Sequence, residues 1–454
     1  MAIIVRDKQF YRTLLRLSIP IVLQNLITFG VTFADNVMVG RLGDNAIAGV
    51  YAANQVQTLL QIFTLGIVSA MQIISTQYWG QKDTASVKSI MAIASRFIIV
   101  LAAALSLVTA LFPQQILALF TDQPAIIAEG AKFLQYVCYS YVFFGISQWL
   151  ISAMRSVENV RIGLYVSLIT LMLVIILNWL LIFGNLGLPA LGIVGSSIAN
   201  LICRIVEATV MVIYVAFVDK KLHLKLRDLL RRDRALFQDY VRYGVPVIAG
   251  QIVWAINNLS QAAIIGHISD AAMAAVSITN MLYRLLFLWT QGVSTAVGII
   301  TGMTIGKGEF EKMKLYARTV QVMFLSAGIL SSLMIIMLMN PFLNLYNISG
   351  ETLNLGRQFM TVLAVTIIGT CYQGTSLGGL VKAGGDTSFV FINDTIFIFL
   401  LVLPSALIAT YVFQAPAWVV FACLKSDEVL KCFVAVVKIN RFKWMKNLTR
   451  ARVA

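Results

Sequence analysis

LSIPIVLQNLITFGVTFADNVMVG, residues 17–40, is the stretch from which the rest of the chain is read. About 20 mostly apolar residues cross the ~30 Å hydrocarbon layer of a bilayer, so this stretch is long enough to span one. Its second half nevertheless carries a carboxylate, Asp35. A charge at membrane depth is costly, and by default it faces a partner or a cavity and marks a functional site. Asn25, Thr28, Thr32 and Asp35 follow one another at steps of three and four, which places them on one helical face. That face is expected to line a transport cavity, with Asp35 as the group that changes charge state.

Composition agrees. The chain of 454 residues is 59% hydrophobic and only 12% charged, whereas soluble domains run about 45–50% apolar and about 25% charged. Apolar blocks recur along its length, and twelve spans are predicted, at roughly 14–39, 46–78, 90–111, 130–153, 162–184, 190–218, 241–266, 270–304, 315–339, 354–380, 389–412 and 415–438. No small-residue cleavage site follows the polar lead, so no removable signal peptide is expected. The net charge of +15 sits in alternating connecting segments rather than in one patch. That distribution points to positive-inside loops and argues against a nucleic-acid partner. It predicts a multi-pass protein of the plasma membrane with both termini cytoplasmic. The five cysteines lie in or beside apolar segments and read as packing residues. Two histidines, His223 and His267, are too few for a histidine-based metal or catalytic site, and no enzyme activity is expected.

Residues 20–80 align without a gap on 246–306, matching Pro20 with Pro246, Gly40 with Gly266, Asp44 with Asp270, Asn54 with Asn280 and Gly66 with Gly292. Six spans per half gives a parallel repeat, the arrangement in which substrate lies between halves near the midplane. The expected fold class is therefore all-α integral membrane, with twelve transmembrane helices in two pseudo-symmetric six-helix lobes. Its predicted parts are an N-terminal lobe (1–218) holding the coupling site, a basic linker (219–238) and a C-terminal lobe (239–454) with a short basic tail. The leucine spacing of the linker predicts an amphipathic helix on the inner leaflet. The polar stripe of the first span maps onto Gln251, Trp254, Asn258 and Gln261, so only the first half keeps an acid there.

No GxxxxGK[ST] loop occurs, which leaves an ion gradient rather than ATP as the energy source. Asp35 is the candidate coupling group, for H+ or for Na+, with Asn178 and Asn200 as candidate companions. Asn25, Thr28, Thr32, Gln251, Asn258, Gln261 and Arg284 are the candidate substrate-cavity residues. Arg204 with Glu207 reads as a helix-spaced structural pair, and the opposite charges of KSDEVLK (425–431) read either as a structural pair network or as a stretch extending above the hydrocarbon core.

Four motifs then carry a resemblance: IPIVLQNLITFGVTFADNVMVGRLGDNAIAGV, GNLGLPALGIVGSSIAN, KAGGDT and FKWMKNLTR. With them the chain resembles the multidrug and toxic compound extrusion family over nearly its whole length. The resemblance implies alternating access and H+- or Na+-driven export of small, amphiphilic, often cationic organic compounds, by a chain in which nothing demands more than a monomer. It matches Asp35 to the family's first-helix acid, Asn178 to the fifth-helix Asp/Asn position and Asn200 to a position often held by Thr. A Na+ site at Asp35, Asn178 and Asn200 is one implied form. Three departures stand out: Val174 replaces an Asn one turn before Asn178, and Gln251 and Cys371 replace acids found in some branches. A flippase for lipid-linked saccharide precursors is the alternative reading, and would need a more cationic cavity than Arg284 alone supplies.

Overall fold

The computed structural model describes residues 5–346 and 348–450, and every regular element among them is helical. In chain order the helices are α1 (Lys8–Val39), α2 (Asp44–Gly80), α3 (Thr84–Leu111), the short α4 (Pro113–Leu117), α5 (Pro124–Val137), α6 (Ser140–Ser156), α7 (Arg161–Leu181) and α8 (Ile193–Ile213). The second series is α9 (Arg234–Gly266), α10 (Asp270–Gly306), α11 (Phe310–Leu343), α12 (Gly350–Gly369), α13 (Thr387–Ile396), α14 (Leu403–Leu407), α15 (Ala417–Leu424) and α16 (Ser426–Asn440). Ten helical stretches among the described residues are long and apolar enough to cross a bilayer. The α5–α6 pair, bent by 55°, makes an eleventh. The last predicted span is covered by α15 and α16 in succession. Large apolar side chains such as Val100, Met172 and Met337 are exposed on these helices, as befits a lipid-facing surface and not a water-facing one. Backbone polar groups inside a bilayer must be satisfied within the segment, and the helix does this residue by residue.

The chain folds into two compact units. One comprises Leu23–Ser75 and Asp83–Gly244; the other takes in the chain up to Val22, Thr76–Lys82 and everything from Val245 onward. Val50, Leu60, Leu117, Phe133, Tyr141, Ile182 and Ile193 are buried in the core of the first. In the second, Leu282, Leu286, Phe359, Leu363, Ile367 and Phe421 form the centre of the core, where the rings of Phe359 and Phe421 lie 4.6 Å apart.

The 219–238 segment differs from its predicted amphipathic helix. Only Leu226–Leu230 is helical before α9 begins, as a single 3-10 turn. Asp228 organises it, accepting from the Lys225 backbone N–H at 3.0 Å and pairing with Lys88 and Arg231, both at 2.9 Å. Arg96 of α3 donates to the carbonyls of Leu229 and Arg231. A short helix in water barely recovers its nucleation cost, and here these cations hold the chain against α3 instead.

The closing FKWMKNLTR motif is a strap. Trp444 is fully buried, and its indole N–H donates to the Ile439 carbonyl at 2.9 Å. It packs on Gly384 of the KAGGDT turn, where any larger residue would collide with the indole ring. The strap then continues along α2: the Leu448 N–H donates to Gln77 Oε1 at 2.7 Å, and Gln77 Nε2 donates to the Lys446 carbonyl at 3.2 Å. Lys438 and Lys446 pair with Asp386 at 2.6 and 2.8 Å. Burial pushes the Asp386 carboxyl up, but the hydrogen bonds and charges of these two lysines outweigh it and hold it below its ordinary value. A carboxyl so depressed contributes stability above its unfolded value of about 4 and loses it as pH falls through the folded value. Release of the tail, followed by protease accessibility of residues beyond Asn440, is therefore expected only at pH below about 4. An Asp386→Asn variant should release it at neutral pH.

Candidate ion-coupling site

The last third of α1 carries Asp35, and three neutral donors from α7 and α8 converge on its carboxylate. Asn178 Nδ2 donates to Oδ1 at 2.7 Å, Ser196 Oγ to Oδ1 at 3.3 Å, and Asn200 Nδ2 to Oδ2 at 3.4 Å. Asn178 and Ser196 are fully buried. Their alignment begins in the turn between α7 and α8. Gly195 lies against the Leu181 carbonyl so closely that a Cβ there would overlap it. The absence of a side chain therefore lets the start of α8 close on the end of α7. Ser196 follows directly, and Asn200 stands one turn further on the same face.

Among the described residues no cation lies within ion-pair distance of Asp35. Arg204, a further turn along α8, acts on it electrostatically, yet Arg204 is itself paired with Glu207 at 2.6 Å. The direct hydrogen-bond partners of the Asp35 carboxylate are thus all neutral dipoles. Beside it, Asn178 Oδ1 is buried with no hydrogen-bond partner. A carboxylate flanked by an unused amide oxygen and two further side-chain oxygen sources is able to take up a proton. It also offers hard oxygen ligands of the kind an alkali cation requires. Val174, one turn before Asn178, is buried and apolar and adds no ligand.

The structure therefore brings together Asp35, Asn178 and Asn200, and adds Ser196, which the sequence reading passed over. Its signal was present, since Ser196, Asn200, Arg204 and Glu207 recur at helical spacing. The other candidates are placed less specifically. Thr28 and Thr32 turn their hydroxyls back onto the carbonyls of Gln24 and Thr28, and Asn258 Nδ2 bonds the Trp254 carbonyl. Asn25 and Gln251 are half-buried. Arg284 is exposed and makes no hydrogen bond or ion pair among the described residues. Gln261 accepts from Lys425 Nζ at 3.1 Å. A further contact came unannounced: Arg155 reaches the buried Gln24 Oε1 at 2.7 Å, tying the end of α6 to α1.

Known proteins share this fold. The chain is 22% identical over 422 residues to the multidrug resistance protein NorM of Vibrio vulnificus, covering 91% of this chain and 90% of that one. It is 24% identical over 356 residues to the probable multidrug resistance protein YoeA of Bacillus subtilis, covering 78% and 77%. Among solved structures, the Vibrio cholerae MATE transporter VcmN in its bent form superposes with a TM-score of 0.84 at 15% identity, over 95% of this chain and 96% of that one. The eukaryotic MATE transporter AtDTX14 gives 0.81 at 16% identity, over 97% and 99%. The MatE family model matches twice, over residues 20–180 and 246–412, beginning at the two prolines that the internal repeat aligns. By this double match, which covers most of its length, the chain belongs to the MatE family, the multidrug and toxic compound extrusion transporters.

Proposed function

We propose that this protein is a secondary active exporter that exchanges amphiphilic or cationic organic compounds for H+ or Na+ by alternating access, with Asp35 as the coupling group. The observation that carries the reading is a carboxylate inside an apolar span, met only by neutral donors and flanked by the unpartnered Asn178 Oδ1. Such a group gains or loses a cation at modest cost, whereas a salt-bridged one does not. Relatives named as multidrug resistance proteins support the substrate class. In this reading Asn178, Ser196 and Asn200 hold the carboxylate in place, and Asn25, Thr28, Thr32, Gln251, Asn258, Gln261 and Arg284 contact substrate. The protein works in the plasma membrane as a monomer with both ends cytoplasmic, and uses no ATP.

The test is export of a fluorescent organic cation from reconstituted vesicles under separately imposed proton and sodium gradients. One gradient is expected to drive uphill export and the other not. A gradient worth about 2.3 kcal/mol, that of one charge across 100 mV, supports roughly 50-fold accumulation. Export indifferent to both gradients would overturn the reading.

A further inference from the structure

The second unit holds its own set of charged groups within the membrane-spanning helices, contributed largely by the junction of α15 and α16. Lys431 is fully engaged there, pairing with Asp394 of α13 at 3.0 Å and with Asp427 at 2.9 Å. Lys425 donates to the neutral amide of Gln261 and lies over the rings of Tyr283 and Phe421, 5.7 and 5.8 Å from their centroids. Glu428 is left with no cation in ion-pair distance among the described residues. Its polar partner is the buried Gln373, whose Nε2 donates to Oε2 at 2.7 Å.

The backbone is arranged to make this contact. Gly369 ends α12, and a Cβ at that position would run into the Glu428 carbonyl. Its bare Cα permits α12 and α16 to approach, and the Cys432 thiol closes the same gap, 3.7 Å from the Gly369 carbonyl. Directly afterwards Thr370–Gly374 adopts a π-helical turn with Cys371, Tyr372 and Gln373 all buried. Single π turns inside α-helices recur at functional sites. Gln373 lies in this turn, one turn on from Gly369.

The chemistry of the pair separates Glu428 from its neighbours. Protonating Asp427 or Asp394 would give up one of the two ion pairs that Lys431 makes. Protonating Glu428 costs no ion pair, because the Gln373 N–H donates to the carboxylate oxygen and can still donate, more weakly, to a carboxyl C=O. The charged and titratable groups around it are Lys425, Asp427, Lys431 and Cys432 on its own segment, Tyr283 from α10, and Cys371 from the π turn. Asp394 of α13 is linked through Lys431. The acids and lysines among them engage other partners, so the Glu428–Gln373 pair is free to change protonation without rearrangement.

We propose that Glu428, held by Gln373, is a second proton-exchange site of the transport cycle, separate from Asp35. Only its use in transport rests on the exporter reading above; its titration does not. The experiment follows the protonated-carboxyl infrared band of the lipid-reconstituted protein as pH is varied. Wild type, Glu428→Gln, Gln373→Leu and Asp35→Asn are compared. Glu428→Gln should remove one titration step, and Gln373→Leu should move the same step upward by about one pH unit, having lost the donor that favours the anion. A Glu428→Gln spectrum that titrates like wild type overturns the proposal. Gln373→Leu guards against misfolding of the first variant: an unmoved step there overturns it equally. Asp35→Asn reports on the other site alone, so the two readings fail separately. In vesicles, Glu428→Gln should lower the number of protons exchanged per substrate, and an unchanged ratio removes Glu428 from the cycle.

Discussion

Asp35→Asn in reconstituted vesicles is expected to bind organic substrate within a few-fold of wild type while losing uphill export altogether. The variant keeps the shape of the side chain and one acceptor oxygen, so the Asn178 contact at 2.7 Å has a partner to retain. What disappears is the charge. An antiporter accumulates substrate only to the extent that the two ions' sites are energetically coupled, and without a group that exchanges its cation the driving gradient does no work. The expected change is a fall from roughly 50-fold accumulation at a 2.3 kcal/mol gradient to equilibration across the membrane. The stability cost is smaller, about 1–3 kcal/mol for donors left facing an amide. Measuring dye binding, melting temperature and gradient-driven export on one preparation separates these effects. Full export by the variant would move the coupling centre elsewhere.

Trp444→Ala should be the most damaging single change outside the spans. The indole is fully buried, and truncating a buried Trp typically costs about 3–5 kcal/mol through lost transfer free energy and the cavity left behind. Because the ring seals the KAGGDT turn, the backbone bond from Lys446 N–H to the Gly384 carbonyl at 2.9 Å is expected to fail with it. The readouts are a lowered melting temperature in detergent and early proteolytic loss of the tail. Trp444→Phe, which refills part of the space, should recover much of both. Unchanged melting for Trp444→Ala would show that the strap is not a structural element.

The parts that could be read in the residues were those with a local signature. Asp35 stood out because a charge in an apolar run is costly, and Asn178 and Asn200 because amides in such runs seek partners. The duplication showed itself because Pro20 and Pro246 head equivalent segments. Ser196 was missed because a serine beside glycine is unremarkable until α7 and α8 are seen to touch. The Glu428–Gln373 pair joins residues from separate helices, and no spacing rule reaches across them. KSDEVLK correctly announced its i,i+4 pair, Asp427 with Lys431, since both residues lie on one helix. The 219–238 segment misled for the opposite reason: its leucine spacing was helical, while Lys88 and Arg96, far off in sequence, decided its conformation.

The partition of the chain also bears on how the protein can be cut. Sequence duplication invites the view that each half is a module, divisible near residue 230. The compact units do not follow that seam, for the unit built mainly from the second half also needs the chain up to Val22 and Thr76–Lys82. Gln77, from that last piece, anchors the tail. A polypeptide starting at α9 would therefore be born with an unfilled seat, and fragment complementation should succeed only when the amino-terminal piece is supplied during assembly. The repeat in the sequence and the division of the fold therefore do not coincide, since one compact unit is assembled from pieces of both repeats.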